Sequence, residues 1–289
     1  MPLHIATHDG SFHADDVTAY ALIRAYVDPE ATVTRRRDEA RLAMADIVVD
    51  VGGIFDPSRG RFDHHQVSYE GPLSSAGMVL DWLEDEGHVR AVLATRLREA
   101  LVDYVDAVDN GREKPTYGKP CITSIVGIIS EQATSFALFD PLYVRASDVV
   151  LDVIRGLEAG LAKEEAAEAI VHAAMDEAVA SGRNVILLDD HASWKKPYFA
   201  RDGATHPTDF VLFPGERDVR VVAIPPTIGS FGQKTSFPEA WAGLTDDALS
   251  DVIGVPGAVF CHKNRFIAVF KTREVAEAAM RSVGLWMRG

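Results

Sequence analysis

Short apolar runs recur through the first 70 residues, and they close on histidine or aspartate. Leu3–Thr7 reads as a strand and is followed at once by His8; Asp46–Val51 reads as a strand that carries Asp50 near its end and stops at Gly52-Gly53. Between them, Asp15–Tyr26 spaces its apolar residues for one helix face, and Ala31–Arg35 reads as a further strand. Strands alternating with helices at this spacing build βαβ units, so the expected fold is α/β, a mostly parallel sheet with flanking helices. Functional groups in such sheets collect beyond the carboxyl ends of the strands, which is where these histidines and aspartates fall.

The pattern changes twice further on. From Ser74 to about Gly182 it is largely helical, ending in the Ala/Glu-rich stretch Lys163–Ala180, which reads as a connecting helix. Strands then return at Val185–Leu188, Phe210–Phe213 and Val219–Ile224, followed by a hairpin from Ala258–His262 through Lys263-Asn264 to Arg265–Phe270. Two domains are therefore expected: 1–182, which includes the connecting helix, and 183–289, a smaller α/β domain. A length of 289 residues is near the limit for a single core, which agrees.

Six of the ten histidines precede residue 90, and four of them stand beside carboxylates. His8, His13, Asp15 and Asp16 form one cluster; Asp63-His64-His65 forms another; Asp50 lies between, and Asp106 to Gly111 ends a helical stretch. Each piece has an ordinary structural reading. Asp15 and Asp16 could cap a helix, Asp50 could start a turn, and Asp109-Asn110-Gly111 could close a helix. None of these explains Asp63-His64-His65. Asp15, Asp50, Asp63 and Asp109 would repel one another in a cleft, and two divalent cations would offset their four charges. Imidazole with carboxylate suits manganese, zinc or iron, and a metal pair supports in-line phosphoryl displacement.

These residues resemble the DHH phosphoesterase superfamily. Thr7–Asp16, Val49–Gly53, Arg61–Gln66 and Leu73–Gly77, with Ser193–Lys195, Pro238–Leu244 and Phe260–His262 later, are similar to one branch of it, the melanocyte-proliferating-gene-one exonuclease family. The resemblance implies a DHH catalytic domain, a C-terminal substrate domain and metal-dependent phosphodiester hydrolysis with 3′–5′ exonuclease action on RNA. It implies two metal ions, manganese first and magnesium, zinc or iron as alternatives, held by His8, His13, Asp15, Asp50, His64 and Asp109. Asp50 would bridge the ions. Asp63 would orient a histidine and His65 would face the phosphate, so Asp50, Asp63 and His65 form the expected catalytic set. Arg36, Lys234, His262 and Lys271 join His65 as expected substrate contacts, with Lys234 standing where the family has an arginine.

Composition limits the partners. At a net charge of −14 the chain will not coat nucleic acid nonspecifically, so an RNA or oligonucleotide must be held in a lined cleft. No apolar stretch reaches the ~18 residues of a membrane span. MPLHIATHDG lacks a basic and then apolar leader, and Cys121 and Cys261 do not make a disulfide scaffold. The expected location is cytoplasmic, without membrane partners, and the expected assembly is a homodimer. Two other readings fit the same site: a small-molecule phosphoesterase or pyrophosphatase acting on dinucleotides or nucleotide phosphates, and a metal-stabilised binding protein without turnover.

Overall fold

The computed structural model describes residues 1–115 and 118–287. Its chain divides into two compact units, Met1–Gly160 and Leu161–Gly289.

The first unit is built on strands β1 (His4–Thr7), β2 (Thr32–Arg35), β3 (Ile47–Val49), β4 (Phe55–Asp56) and β5 (Arg61–Phe62), in the order β2-β1-β3-β5-β4. All neighbours run parallel except the edge pair β4 and β5. Helix α1 (Ala14–Tyr26) makes the crossover from β1 to β2, and the short α2 (Glu39–Ala43) leads into β3. Then come α3 (Ser75–Asp85), α4 (Ala91–Leu97), α5 (Asp103–Asp109) and α6 (Ile122–Ser130), with a π-turn at Arg98–Val102 joining α4 to α5. Helix α1 is buried from Ala14 to Ile23 because it packs against α3, α5 and α6 as well as the sheet.

Parallel pairing of β1 with β3, and of β3 with β5, brings three strand ends side by side. Ile5 pairs with Ile47 and Val49 pairs with Phe62. The next residues along the chain are His8 after β1, Asp50 after β3, and Asp63-His64-His65 after β5. The sheet thus gathers onto one edge residues that are up to 57 positions apart in sequence.

Helix α7 runs unbroken from Phe139 to Ala180, starting well before the expected Lys163. The division between units falls inside it at Gly160, not at 182–184. Packing explains the shift. Tyr143 donates to the Asp16 carbonyl at 2.9 Å in the first unit, whereas Ala167, Val171, Ala174 and Met175 join the core of the second with Ile186, Trp194, Tyr198 and Val211.

The second unit carries β6 (Val185–Leu187), β7 (Phe210–Pro214), β8 (Val219–Ala223), β9 (Ala258–Cys261) and β10 (Ile267–Phe270), in the order β6-β7-β8-β10-β9. Only β6 and β7 are parallel; β9 and β10 form the expected hairpin. Helices α8 (Lys195–Ala200), α9 (Asp246–Ile253) and α10 (Arg273–Ser282) complete it. Phe237 stacks on Trp241 at 5.8 Å within a core that includes Phe210, Leu249 and Phe270. The chain is α/β throughout, as expected. Among the described residues, no helix is long and apolar enough to cross a membrane.

Candidate metal centre

His8, Asp15, Asp16, Asp50 and Asp63 are all buried, an arrangement that charged groups avoid unless something compensates them. His8 Nε2 lies 3.3 Å from Asp50 Oδ2 and 3.4 Å from Asp16 Oδ2. His64 Nε2 lies 3.1 Å from Asp109 Oδ2, 3.3 Å from Asp50 Oδ1 and 3.8 Å from Asp15 Oδ2. Donor atoms within 4.8 Å of one another form four overlapping groups: His8, His13 and Asp50; Asp50, His64 and His65; His13, Asp15 and Asp109; Asp15, Asp16 and Asp50. Asp50 belongs to three of the four, at the centre of the cluster. It adopts a left-handed backbone at φ 55°, uncommon for a non-glycine residue and a kind of local strain that concentrates at functional sites.

The elements around the cluster fix these side chains in turn. His13 precedes α1, and its N–H donates to Asp16 Oδ1 at 2.9 Å, which holds the start of the helix. Asp15 and Asp16 also sit where the helix dipole favours negative charge. Asp63 accepts from Gly53 N at 2.6 Å and from His65 N at 3.1 Å, and its Oδ1 lies 2.8 Å from His65 Nδ1. Both carboxylate oxygens are therefore occupied in aiming His65 and closing the Gly52-Gly53 turn. Asp63 thus holds the His65 ring and backbone and the Gly53 amide, rather than facing the cavity with free oxygens.

Behind the cluster, Ser75 donates to the Phe62 carbonyl at 2.9 Å and reaches Asp50 Oδ1 at 3.5 Å. Asp106 accepts from Ser74 N, Ser74 Oγ and Gly77 N, so it caps α3 from α5. Burial, opposed by those hydrogen bonds, still lifts its carboxyl to about 6.

The electrostatics show a cluster short of positive charge. Burial, with repulsion from Asp50, Asp109 and Asp16, drives Asp15 well above the carboxylate range. Burial lifts Asp16 to about 7 against the attraction of His8. Burial alone would lower both histidines, but Asp50 and Asp16 hold His8 up, and Asp109 and Asp50 raise His64 to about 10. Asp50 itself is held low by His64 and His8 despite its burial. The cluster thus keeps protons where it lacks another source of positive charge.

The unpaired atoms test whether cations fit. Both Asp15 oxygens, Asp16 Oδ2 and His64 Nε2 are buried without a hydrogen-bond partner. His8 Nδ1 lies 3.0 Å from the Asp9 carbonyl oxygen, so it carries the proton there and a neutral ring turns its Nε2 lone pair toward two carboxylates. Lone pairs facing one another in a buried cluster are what a divalent cation resolves. The donor set fits.

A cavity of about 380 Å³ opens onto the cluster, lined by His8, His13, Asp50, His65, Gln66 and Arg37 among others. Arg36, the expected substrate contact, does not line it. Its guanidinium turns instead to the Arg35 carbonyl and to Asp140 of α7, 3.6 Å away, because successive side chains leaving β2 point in different directions. Lys234 does not line it either. Its ammonium donates to Tyr198 Oη, Gly203 O and His206 O at 3.0, 2.7 and 2.8 Å, with Thr208 O at 3.4 Å, all within the second unit, so its three N–H groups are engaged there. His262 accepts from Asn264 N at 3.0 Å and lies against Phe266, and Lys271 is exposed beyond β10; both belong to the second unit. Sequence reasoning passed over Asp16, which reads as a cap, and Arg37, one step beyond the residue chosen.

Buried carboxylates and histidines with unpaired donor atoms at the edge of an α/β sheet form a candidate metal centre. Comparison with known proteins gives the family. The model of the MYG1 exonuclease family, described as "Uncharacterised protein family (UPF0160)", matches residues 4–283, and the chain belongs to that family. An MYG1 protein of Chlamydia pneumoniae is 37% identical over 284 residues, covering 97% of this chain and 96% of its own. The MYG1 exonuclease of Homo sapiens is 31% identical over 325 residues, covering 97% of this chain and 85% of its own. Among solved structures, RecJ of Thermus thermophilus in complex with Mn2+ matches at 12% identity with a TM-score of 0.27, covering 98% of this chain and 52% of that one. An exonuclease RecJ bound to manganese matches at 14% identity with a TM-score of 0.29, covering 97% of this chain and 89% of that one.

Proposed function

We propose that this protein is a divalent-metal-dependent phosphodiesterase that removes nucleotides from the 3′ end of RNA or short oligonucleotides. The reading is carried by one observation: buried acidic and histidine donors, several unpaired, border a polar cavity at the strand ends. The exonuclease activity carried in the names of its mammalian relatives supports the reaction type.

Two ions, manganese first, would be held by His8, His13, Asp15, Asp50, His64 and Asp109; Asp16 adds a further buried oxygen to that set. Bound there, they supply a nucleophilic water at neutral pH and charge stabilisation at the reacting phosphate. The chain's own groups do the rest. Asp63 fixes the His65 ring, which is exposed at the cavity and positioned to hydrogen-bond a phosphate oxygen. Ser75 supports Asp50 from behind, and Asp106 fixes the turn that carries Ser75 through its bonds to Ser74 and Gly77.

The cavity favours short substrates. About 380 Å³ admits a nucleotide-sized group, and a single Lys or Arg lines it. The exterior charge of −14 adds nothing to attract a long polyanion. Exonucleolytic release at a chain end requires no more than this pocket.

Asp50→Asn tests the reading. It keeps the left-handed backbone, which asparagine tolerates, and removes the central charge. Turnover of a dinucleotide is expected to fall at least ~10³-fold with the fold retained. Undiminished turnover would overturn the proposal.

A further inference from the structure

Arg35, Arg36 and Arg37 follow one another at the end of β2, and their side chains take separate tasks. Arg35 is buried, donates to the Gly10 carbonyl at 2.7 Å and lies over the Phe12 and Tyr143 rings, so it holds the loop between His8 and His13. Arg36 faces Asp140. Arg37 reaches the cavity.

We propose that Arg37 is the residue that grips a substrate phosphate at this centre. The inference rests on the phosphodiesterase reading and adds to it a specific binding group. The lining of the cavity is carboxylate, imidazole, amide and glycine backbone, and Arg37 is its one lysine or arginine among the described residues. Arg37 Nε lies 3.3 Å from Asp9 Oδ1, next to His8 in the chain. That contact anchors the guanidinium by one N–H and leaves four N–H groups on the two terminal nitrogens. Two parallel donors are the arrangement that matches the non-bridging oxygens of a phosphodiester. The anchor also places the charge. An anion entering a cavity lined by Asp50 and Asp63 meets repulsion from both, and a fixed cation beside the cluster offsets it where the phosphate must stop.

The Arg37 side chain is 61% exposed, and an exposed pair of this kind contributes little to stability. Replacing it leaves the fold intact, which makes the test clean. The ligands are adenosine 5′-monophosphate and inorganic phosphate, titrated into manganese-loaded protein by calorimetry, with steady-state hydrolysis of a 5′-phosphorylated diadenosine dinucleotide alongside. Loss of charge-assisted bonds of this type corresponds to a factor of about 10–100. Arg37→Ala is therefore expected to weaken adenosine monophosphate binding by that factor and to raise KM similarly, while kcat changes less than about threefold. Arg37→Lys keeps the charge without the fork and falls between wild type and Arg37→Ala. Arg59→Ala removes an exposed positive charge away from the cavity and is expected to match wild type.

Arg37→Ala binding both ligands as wild type does would overturn the inference and leave the phosphodiesterase reading standing. Wild type that binds adenosine monophosphate through Arg37 but cleaves no phosphodiester would overturn the reading and keep the phosphate grip. Wild type that binds neither ligand would overturn both.

Discussion

Gly77 has no room for a side chain. A Cβ built on it would lie 2.2 Å from Asp106 Oδ2, 2.9 Å from its Cγ and 3.0 Å from Oδ1. That carboxylate cannot step aside freely, because its Oδ1 accepts from Ser74 N, Ser74 Oγ and Gly77 N at 3.0, 2.6 and 3.1 Å. In Gly77→Ala the carboxylate must rotate and release at least two of these bonds in a buried setting. Hydrogen bonds to a charged group contribute about 1.5–3 kcal/mol each, so the loss of two is about 3–6 kcal/mol. Alanine regains about 1 kcal/mol of helix propensity, which leaves a net destabilisation of about 2–5 kcal/mol. For a unit of this size that lowers Tm by about 5–15 °C. The matched control is Gly156→Ala, an exposed position in α7 where a Cβ meets nothing within 4 Å; it is expected to stabilise by about 0.5–1 kcal/mol. Thermal unfolding of both variants by circular dichroism decides the matter. Activity should fall with Gly77→Ala as well, because Ser75 in the same turn supports Asp50. A Gly77→Ala variant as stable as wild type would refute the reasoning that Asp106 locks the start of α3.

Other predictions follow from the charges. Asp16, lifted from 3.8 to about 7 by burial, stabilises the metal-free fold fully below the ordinary carboxylate range and loses that contribution progressively as pH rises to about 7; Asp15 behaves in the same sense, and His64, raised from 6.5 to about 10, loses its contribution progressively between those values. The Tm of metal-free protein should therefore fall steadily as pH rises from about 4 to 8, and the Tm gain from manganese should be larger at about pH 8 than at about pH 5; a gain independent of pH would contradict this. Lys234→Met should destabilise the second unit by about 2–4 kcal/mol, since Gly203 O and His206 O lose their donor, while the KM of manganese-loaded enzyme stays unchanged. A raised KM without loss of stability would return Lys234 to the substrate site.

Much of the site was legible because parallel strands convert sequence order into position. Once Leu3–Thr7 and Asp46–Val51 read as neighbouring strands, His8 and Asp50 had to emerge at the same edge, and the structure places them 3.3 Å apart. The hairpin from Ala258 to Phe270 was legible for a similar reason, two apolar runs around a polar turn. What could not be read depends on side-chain direction and tertiary packing. Asp16 satisfies every local criterion of a cap, and it does cap α1, while its second oxygen joins the cluster. Arg36 and Arg37 are indistinguishable in sequence, and only the course of the chain after β2 decides which one lines the cavity. Lys234 reads as a substrate contact until the residues that surround it present four carbonyl or hydroxyl acceptors. The division at Gly160 could not be read, because α7 shows no break in pattern there although its two halves pack into different units.

The central claim is tested most directly by titrating metal-free protein with manganese in the presence of oligoribonucleotides labelled at the 5′ end. The account predicts no cleavage without metal, then a ladder of labelled products shortening one nucleotide at a time from the 3′ end, saturating at two manganese ions per chain. Full-length oligonucleotide at every manganese concentration, with two ions shown to be bound, would contradict it.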